Sequence, residues 1–369
     1  MIQVYSSTIR RKEMEAVLTC MVDEKIGPGE MNAKLVQLVK EYTDCDGAVA
    51  FRSPSIALEY ALKALDVPAG SGIVLSALAP AYQVITIEKL GYKAVILDVN
   101  EETGAFSAED ASLAVNNEGG RVIIIPETMG ILPDIKAFQA IGVPLIEDIS
   151  QSALSYYPFD ETDEYLKKKY SKPQVDKDGN PVEPKGRRAG MYGVFALMGM
   201  EENDIITSGG GAVLMAFQRK DWSALKHLTD AAPSTDILPD MNSALAFVEI
   251  KEFARNEKVR REIFELYNRA IMSGKHKTFV RPDGDLSTVC LFPLVLNSGF
   301  KDAKAYAAKK NIEVRHAFEN SIVAMRQEEL QSSCICANSL LLRCALFPLY
   351  PRLGRKETEI IVKVLSSML

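Results

Sequence analysis

Short apolar runs alternate with amphipathic stretches along the first half of the chain. Five of these runs are rich in β-branched residues and have the length of buried parallel strands. They are 47–51, 72–76, 93–99, 121–126 and 143–148. Helices are predicted between them at 54–64, 82–90, 108–115 and 135–141. This alternation predicts a doubly wound α/β sheet with mainly parallel strands and a ligand site at their carboxyl ends.

The second half has a different pattern. Two more strands are predicted at 194–198 and 211–217, followed by a long helix at 241–271. A strand at 288–296 and helices at 302–310 and 357–365 predict a smaller α+β domain. The long helix has an apolar stripe that indicates packing against another domain or subunit. The stripe comprises Phe247, Ile250, Ala254, Val259, Ile263, Leu266 and Ala270. We therefore predict two domains, 1–235 and 236–369.

A charged insertion interrupts the α/β pattern at 159–188. It contains eight basic and seven acidic residues. Asp-Gly and Asn-Pro pairs within 178–181 predict a protruding hairpin. A solvated arm is the simpler interpretation, and a phosphate or partner contact through Lys185, Arg187 and Arg188 is the alternative.

Composition narrows the classes of function. A net charge of -6 argues against a broad nucleic-acid surface. Six cysteines without paired Cys-x-x-Cys spacing, and only three histidines, favour free thiols over a metal site. The first residues lack an apolar signal region, and no apolar run of membrane-spanning length follows. We expect a cytoplasmic protein without a membrane partner.

The order and spacing of several motifs carry a resemblance. They are EKIGPGE at 24–30, FRSPSIALEYALKAL at 51–65, VPLIEDISQSALSYY at 143–157, TSGGGAV at 207–213 and the closing segment 338–365. Together they resemble the DegT/StrS family of sugar aminotransferases. That resemblance implies a fold-type I pyridoxal phosphate (PLP) transferase: a mainly parallel large domain, a smaller C-terminal α+β domain, and a homodimer. It also implies a small-molecule ligand such as a nucleotide-sugar.

The resemblance assigns residues to the cofactor ring. Asp148 falls on the acidic residue that pairs with the pyridine nitrogen, which keeps the ring an electron sink. Gln151 falls on the residue beside the phenolic oxygen. Tyr82 lies near the aromatic position that stacks on the ring, although the alignment displaces it.

The phosphate-binding positions depart from the family pattern. The family's Gly-Thr pair at a helix N-terminus is here Pro54-Ser55, and proline has no N–H to donate. Ser55 still offers a hydroxyl and an amide, and Arg52 offers a positive charge. The family's serine appears as Ala196, and the stretch that carries a partner-subunit asparagine reads DILPDM at 236–241.

This chain has no counterpart of the lysine that forms the Schiff base in the family that it resembles. Residues 189–219 contain no lysine and no histidine, and alignment places Asn203 or Glu201 at the lysine position. A carboxylate such as Glu201 can act as a base but cannot form an imine. We expect the surrounding Glu-Glu-Asn-Asp sequence to be an exposed turn.

Three functions remain open. The first is a degenerate sugar-aminotransferase homologue that cannot transaminate by the lysine mechanism and keeps a pocket for a nucleotide-sugar or phosphate ligand. The second is an active aminotransferase-like or dehydratase-like enzyme with PLP, or its amine form pyridoxamine phosphate (PMP), held without a covalent bond. The third is an interaction protein that uses the 159–188 insertion.

Overall fold

The structure is a computed structural model that describes residues 1–172, 181, 183–272, 274–281, 287–297 and 299–368. The strands within this part are β1 (Gly47–Phe51), β2 (Gly72–Ser76), β3 (Lys93–Leu97), β4 (Gly120–Pro126), β5 (Leu145–Asp148), β6 (Phe195–Gly199), β7 (Ala212–Ala216), β8 (Phe292–Val295), β9 (Arg315–His316) and β10 (Cys344–Phe347). The helices are α1 (Arg11–Val22), α2 (Glu30–Thr43), α3 (Pro54–Leu65), α4 (Ala81–Lys89), α5 (Ala108–Asn117), α6 (Ile135–Gln139), α7 (Glu164–Lys169), α8 (Arg219–Thr229), α9 (Asp240–Ile271), α10 (Phe300–Lys309), α11 (Ile322–Met325), α12 (Gln327–Leu330), α13 (Ile335–Arg343) and α14 (Arg355–Ser367). A 3-10 turn lies at Thr128–Gly130.

The central sheet has seven strands in the order β1-β7-β6-β5-β4-β2-β3. Strands β3, β2, β4, β5 and β6 are mutually parallel, and β7 runs antiparallel to both β1 and β6. Every residue of β2, β6 and β7 is buried. Apolar, β-branched strands covered on both faces are typical of such a sheet, so the predicted α/β class is confirmed.

A second, three-stranded sheet has the order β8-β10-β9 and is antiparallel. Its buried side chains form a separate apolar cluster with the end of α9 and with α14. The N-terminal Ile2 joins this cluster and bridges to Ile312. The division at residue 235 stays a prediction.

Helix α9 shows that the predicted apolar stripe is partly wrong. Ala254 and Leu266 are exposed, whereas Asn256 and Arg260 are buried. The helix is 32 residues long, and its first half packs in the large cluster while its last turns pack in the small one. Its buried face is therefore set by two different neighbours rather than by one continuous apolar stripe.

The charged insertion is bonded to the body of the protein on both sides of its centre, through the Tyr165 hydroxyl, which donates to Asp44 at 2.8 Å, and through Arg188. Arg187 forms an ion pair with Asp163 at 2.8 Å, and Arg188 donates to the carbonyl oxygen of Leu154 at 3.2 Å. These contacts engage two of the three cations considered for a phosphate or partner. The predicted turn pairs at 178–180 lie outside the described residues.

Two further observations limit the chemistry elsewhere. All six cysteines are free thiols. Among the helices of the described part, none is long and apolar enough to cross a membrane.

Candidate functional site

A cavity of about 560 Å³ opens at the carboxyl ends of β4, β5 and β6. Its wall is built from segments that follow those strands, from the starts of α3 and α4, and from the chain after β9. The polar lining residues are Tyr5, Ser53, Ser55, Tyr82, Glu127, Thr128, Asp148, Ser150, Gln151, Glu201, Glu202, Asn203, Asp204, Arg315, Glu319, Asn320 and Ser321. The cavity lies where the α/β pattern predicts a ligand site.

Asp148 is the most densely bonded side chain of the cavity. Its Oδ1 accepts hydrogen bonds from the backbone N–H of Ser150 at 3.1 Å and from Ser150 Oγ at 2.5 Å. Its Oδ2 accepts from the hydroxyl of Tyr82 at 3.1 Å and from Gln83 Nε2 at 2.7 Å. Ser150 Oγ in turn accepts from the N–H of Gly199 at 2.8 Å, which links β5 to β6.

Burial controls the ionisation of these groups. It raises the pKa of Asp148 above the ordinary value of an aspartate, although the four hydrogen bonds act in the opposite direction. Burial, together with the charge of Asp148, raises the pKa of Tyr82 well above its ordinary value. Tyr82 therefore remains a hydrogen-bond donor. The predicted ring-stacking residue is present at the site, but it bonds to the carboxylate.

Two further buried carboxylates, Glu127 and Glu147, lie close to each other at the cavity. Glu127 lines the wall and accepts hydrogen bonds from Ser152 and from Tyr157 at 3.1 Å. Glu147 accepts from the backbone N–H groups of Gly190 at 2.9 Å and Tyr192 at 2.8 Å. Burial raises the pKa of both carboxyls, and the charge of Glu147 raises that of Glu127 further. This pair borders the site, and no sequence pattern indicated that these two carboxylates lie together.

The start of α3 has the predicted local structure. Ser53 caps the helix by accepting from the N–H of Ile56 at 3.2 Å, and Pro54 occupies the first turn. Ser55 lines the cavity, and its N–H has no acceptor among the described residues. The helix start thus presents one free amide and one hydroxyl to an anion.

The turn between β6 and β7 forms the adjoining part of the wall, next to the end of β5. Glu201, Glu202 and Asn203 are exposed and line the cavity. Asp204 is more enclosed, and its Oδ2 accepts from the N–H of Glu201 at 2.8 Å. Burial, with the nearby charge of Asp148, raises the pKa of Asp204 to about 7. Asn203 and Glu201 both reach the cavity, and the expected exposed turn is present except at Asp204.

The charged side chains that line the cavity are mostly acidic. Among the described residues that line the cavity, six are carboxylic acids, none is a lysine or histidine, and Arg315 is the single cation. Arg315 donates from Nε to Glu313 at 2.8 Å, and 45% of its side chain is exposed. Arg315 begins β9, far along the chain from the strands that form the site, so no sequence pattern placed it here.

Of the other two predicted cofactor-binding residues, Gln151 lies at the cavity and Arg52 does not. Gln151 lines the cavity, and its Oε1 accepts from the N–H of Met129 at 2.7 Å. Arg52 is exposed and is absent from the described cavity wall, so the structure does not bring it to the site. It follows buried Phe51 at the end of β1, and its backbone N–H donates to the carbonyl oxygen of Asp236 at 2.8 Å.

Comparison with known proteins identifies the family. The model of the DegT/DnrJ/EryC1/StrS aminotransferase family matches residues 7–165 and 215–366. The chain belongs to this family. The matched parts include Ser55, Tyr82, Asp148 and Gln151, whereas residues 166–214 are not matched. The unmatched segment contains both the charged insertion after 165 and the turn with Glu201 and Asn203.

Solved structures of low sequence identity share this fold. The aminotransferase TlmJ from Streptoalloteichus hindustanus has a TM-score of 0.83 and 17% identity, covering 100% of this chain and 98% of that one. The putative sugar aminotransferase Spr1654 from Streptococcus pneumoniae, in its PLP form, has a TM-score of 0.82 and 15% identity, covering 97% and 96%. An E. coli GDP-4-keto-6-deoxy-D-mannose-3-dehydratase with bound hydrated PLP has a TM-score of 0.79 and 14% identity, covering 99% of each chain.

The family and its solved relatives bind PLP or PMP, which agrees with the cofactor predicted from the sequence. Two of the groups present are of the kind that would hold such a cofactor without a covalent bond. Asp148, a buried carboxylate of the cavity wall, would meet a ring nitrogen, and the amide of Ser55 at the start of a helix would meet a phosphate. No described residue of the wall supplies an amine for covalent attachment.

Proposed function

We propose that this protein is a sugar-aminotransferase homologue that does not transaminate through a lysine and uses its cavity to bind a nucleotide-sugar. One observation carries the proposal. The turn that follows β6, where alignment places the family's lysine, presents Glu201, Glu202 and Asn203 to the cavity. None of these side chains can form an imine with a cofactor or a sugar ketone.

The remaining groups suit a phosphorylated sugar. A volume of about 560 Å³ is within the usual range for small-molecule sites. The terminal guanidinium nitrogens of Arg315 can bind a diphosphate, because the bond of Arg315 to Glu313 uses Nε. Exposed Glu201 and Glu202 face the same space and can accept hydrogen bonds from sugar hydroxyls. A bound cofactor would supply an electron-withdrawing ring beside Asp148.

The chain's own groups would act by binding and orientation. Arg315 would hold the diphosphate, and Glu201 and Glu202 would orient the sugar within the cavity. Asp204, with a pKa raised to about 7, holds or releases a proton near neutrality at its carboxyl oxygen. We further propose a homodimer, as the family resemblance implies, and a cytoplasmic location.

Binding of uridine diphosphate glucose, measured by calorimetry, tests the proposal. Arg315→Ala should weaken binding about tenfold or more, because a charge-assisted bond to phosphate is lost. Arg315→Lys should lie between wild type and Arg315→Ala, because lysine keeps the charge but not the fork. Arg355→Ala is the matched control, since that arginine is 93% exposed and outside the described cavity wall.

Two results would overturn the proposed function. The first is equal affinity of wild type and Arg315→Ala for the sugar nucleotide. The second is transfer of an amino group from glutamate to a keto-sugar nucleotide by the wild-type protein.

A further inference from the structure

The carboxylate that would pair with a cofactor ring is already fully bonded within this chain. A carboxylate has about four lone-pair sites. Asp148 uses four, for two donors from Ser150 and one each from Tyr82 and Gln83. A pyridinium N–H would be a fifth donor, so one of the four must leave before a ring can pair with Asp148.

Tyr82 is the donor that can leave. Both bonds from Ser150 come from the same short turn as Asp148, and Ser150 Oγ is also held by Gly199. Gln83 is 1% exposed and is absent from the described cavity wall. Tyr82 lines the cavity, is only half-buried, and makes the longest of the three side-chain bonds to Asp148.

We propose that Tyr82 is a specificity-determining residue that competes with a pyridine ring for Asp148 and thereby weakens the binding of PLP or PMP to this chain. The inference rests on the cofactor position that the family resemblance assigns to Asp148. It does not depend on Arg315 or on the nucleotide-sugar proposal. Ligands that make no bond to Asp148 are not subject to this competition.

Calorimetric titration of the dialysed full chain with PMP tests the competition. PMP is the probe because it has no aldehyde and cannot label surface lysines. Tyr82→Phe removes the hydroxyl and keeps the ring, so PMP affinity should rise about tenfold to a hundredfold, the value of one bond to a charged acceptor. Tyr92→Phe is the matched control, because the Tyr92 hydroxyl bonds to Val67 at 3.4 Å, away from the described wall.

A PMP analogue with CH in place of the ring nitrogen separates competition from a general change in the cavity. The increase in affinity caused by Tyr82→Phe should appear with PMP and be absent with the analogue. Tyr82→Ala should show the same dependence on the ring nitrogen. Should either substitution destabilise the fold, the other one still decides the question.

Equal PMP affinity of wild type and Tyr82→Phe would overturn the inference. An equal gain for PMP and the nitrogen-free analogue would also overturn it. In either case, binding of uridine diphosphate glucose through Arg315 would leave the proposed function standing. Failure of sugar-nucleotide binding alone would instead overturn the proposed function and leave the role of Tyr82 intact.

Discussion

The end of β5 and the turn after β6 lie side by side in the wall of the same cavity, and they are built in different ways. At the end of β5, Asp148 is 5% exposed and has four hydrogen-bond donors. In the turn after β6, Glu201, Glu202 and Asn203 are exposed, and Asp204 is held by the N–H of Glu201. The β5 end also lies within the family match, whereas the turn lies outside it.

This difference teaches that a family position can persist for structural reasons. Asp148 joins β5 to α4 through Tyr82 and Gln83, and to β6 through Ser150. Loss of the carboxylate would leave buried donors without partners, whatever ligand the cavity holds. The turn carries no comparable network, so its residues are free to differ from the family pattern.

The largest predicted effect tests the structural role of Asp148. Asp148→Ala should reduce the free energy of unfolding by about 2–4 kcal/mol, because the donors on Tyr82, Gln83 and Ser150 lose their acceptor. Asp148→Asn should cost less, since an amide oxygen still accepts from Ser150. Denaturant unfolding followed by circular dichroism measures both. An Asp148→Ala protein as stable as wild type would show that the network is not structural.

A smaller predicted effect, on thermal stability, tests Asp204 in the turn after β6. Burial raises the pKa of Asp204 to about 7, so the folded state binds this proton more tightly than the unfolded state. The stability associated with the proton is present at low pH and is lost as pH rises through the folded pKa. Asp204→Asn should therefore gain thermal stability over wild type as pH rises from about 4 to about 7, by about 1–3 °C, with little further gain above about pH 8.

The control for this prediction is Glu202→Gln, which changes an exposed carboxylate of the same turn. Its difference in melting temperature from wild type should stay constant over the same pH range. A constant difference for Asp204→Asn as well would show that Asp204 ionises at its ordinary pH in the folded protein.

The sequence predicted the sheet well because each strand carries its own signal. GIVLS at 72–76 is apolar except for Ser76, FALMG at 195–199 has no polar side chain, and each residue of both strands is buried. The capped start of α3 is also local, since Ser53 bonds within its own turn. Helix α9 was harder to predict because two apolar clusters select its buried residues, among them Arg260.

The site was predictable only where the family motif reaches it. Asp148, Gln151 and Ser55 all line the cavity. The partners of Asp148 could not be foreseen, because Tyr82 and Gln83 lie 66 and 65 residues earlier in the chain. Arg315 is brought in by the small sheet. Such contacts depend on how the strands and helices pack, and this packing cannot be read from the spacing of residues in the sequence.

Covalent trapping tests the central claim most directly. Wild-type protein and Asn203→Lys would each be incubated with PLP, reduced with borohydride, and mapped by peptide mass spectrometry. We predict that no single lysine of the wild type is labelled stoichiometrically. We also predict that Asn203→Lys alone does not transaminate, because Pro54 leaves the phosphate site with fewer N–H donors. Stoichiometric labelling of one wild-type lysine, together with amino transfer to a keto-sugar nucleotide, would contradict the account.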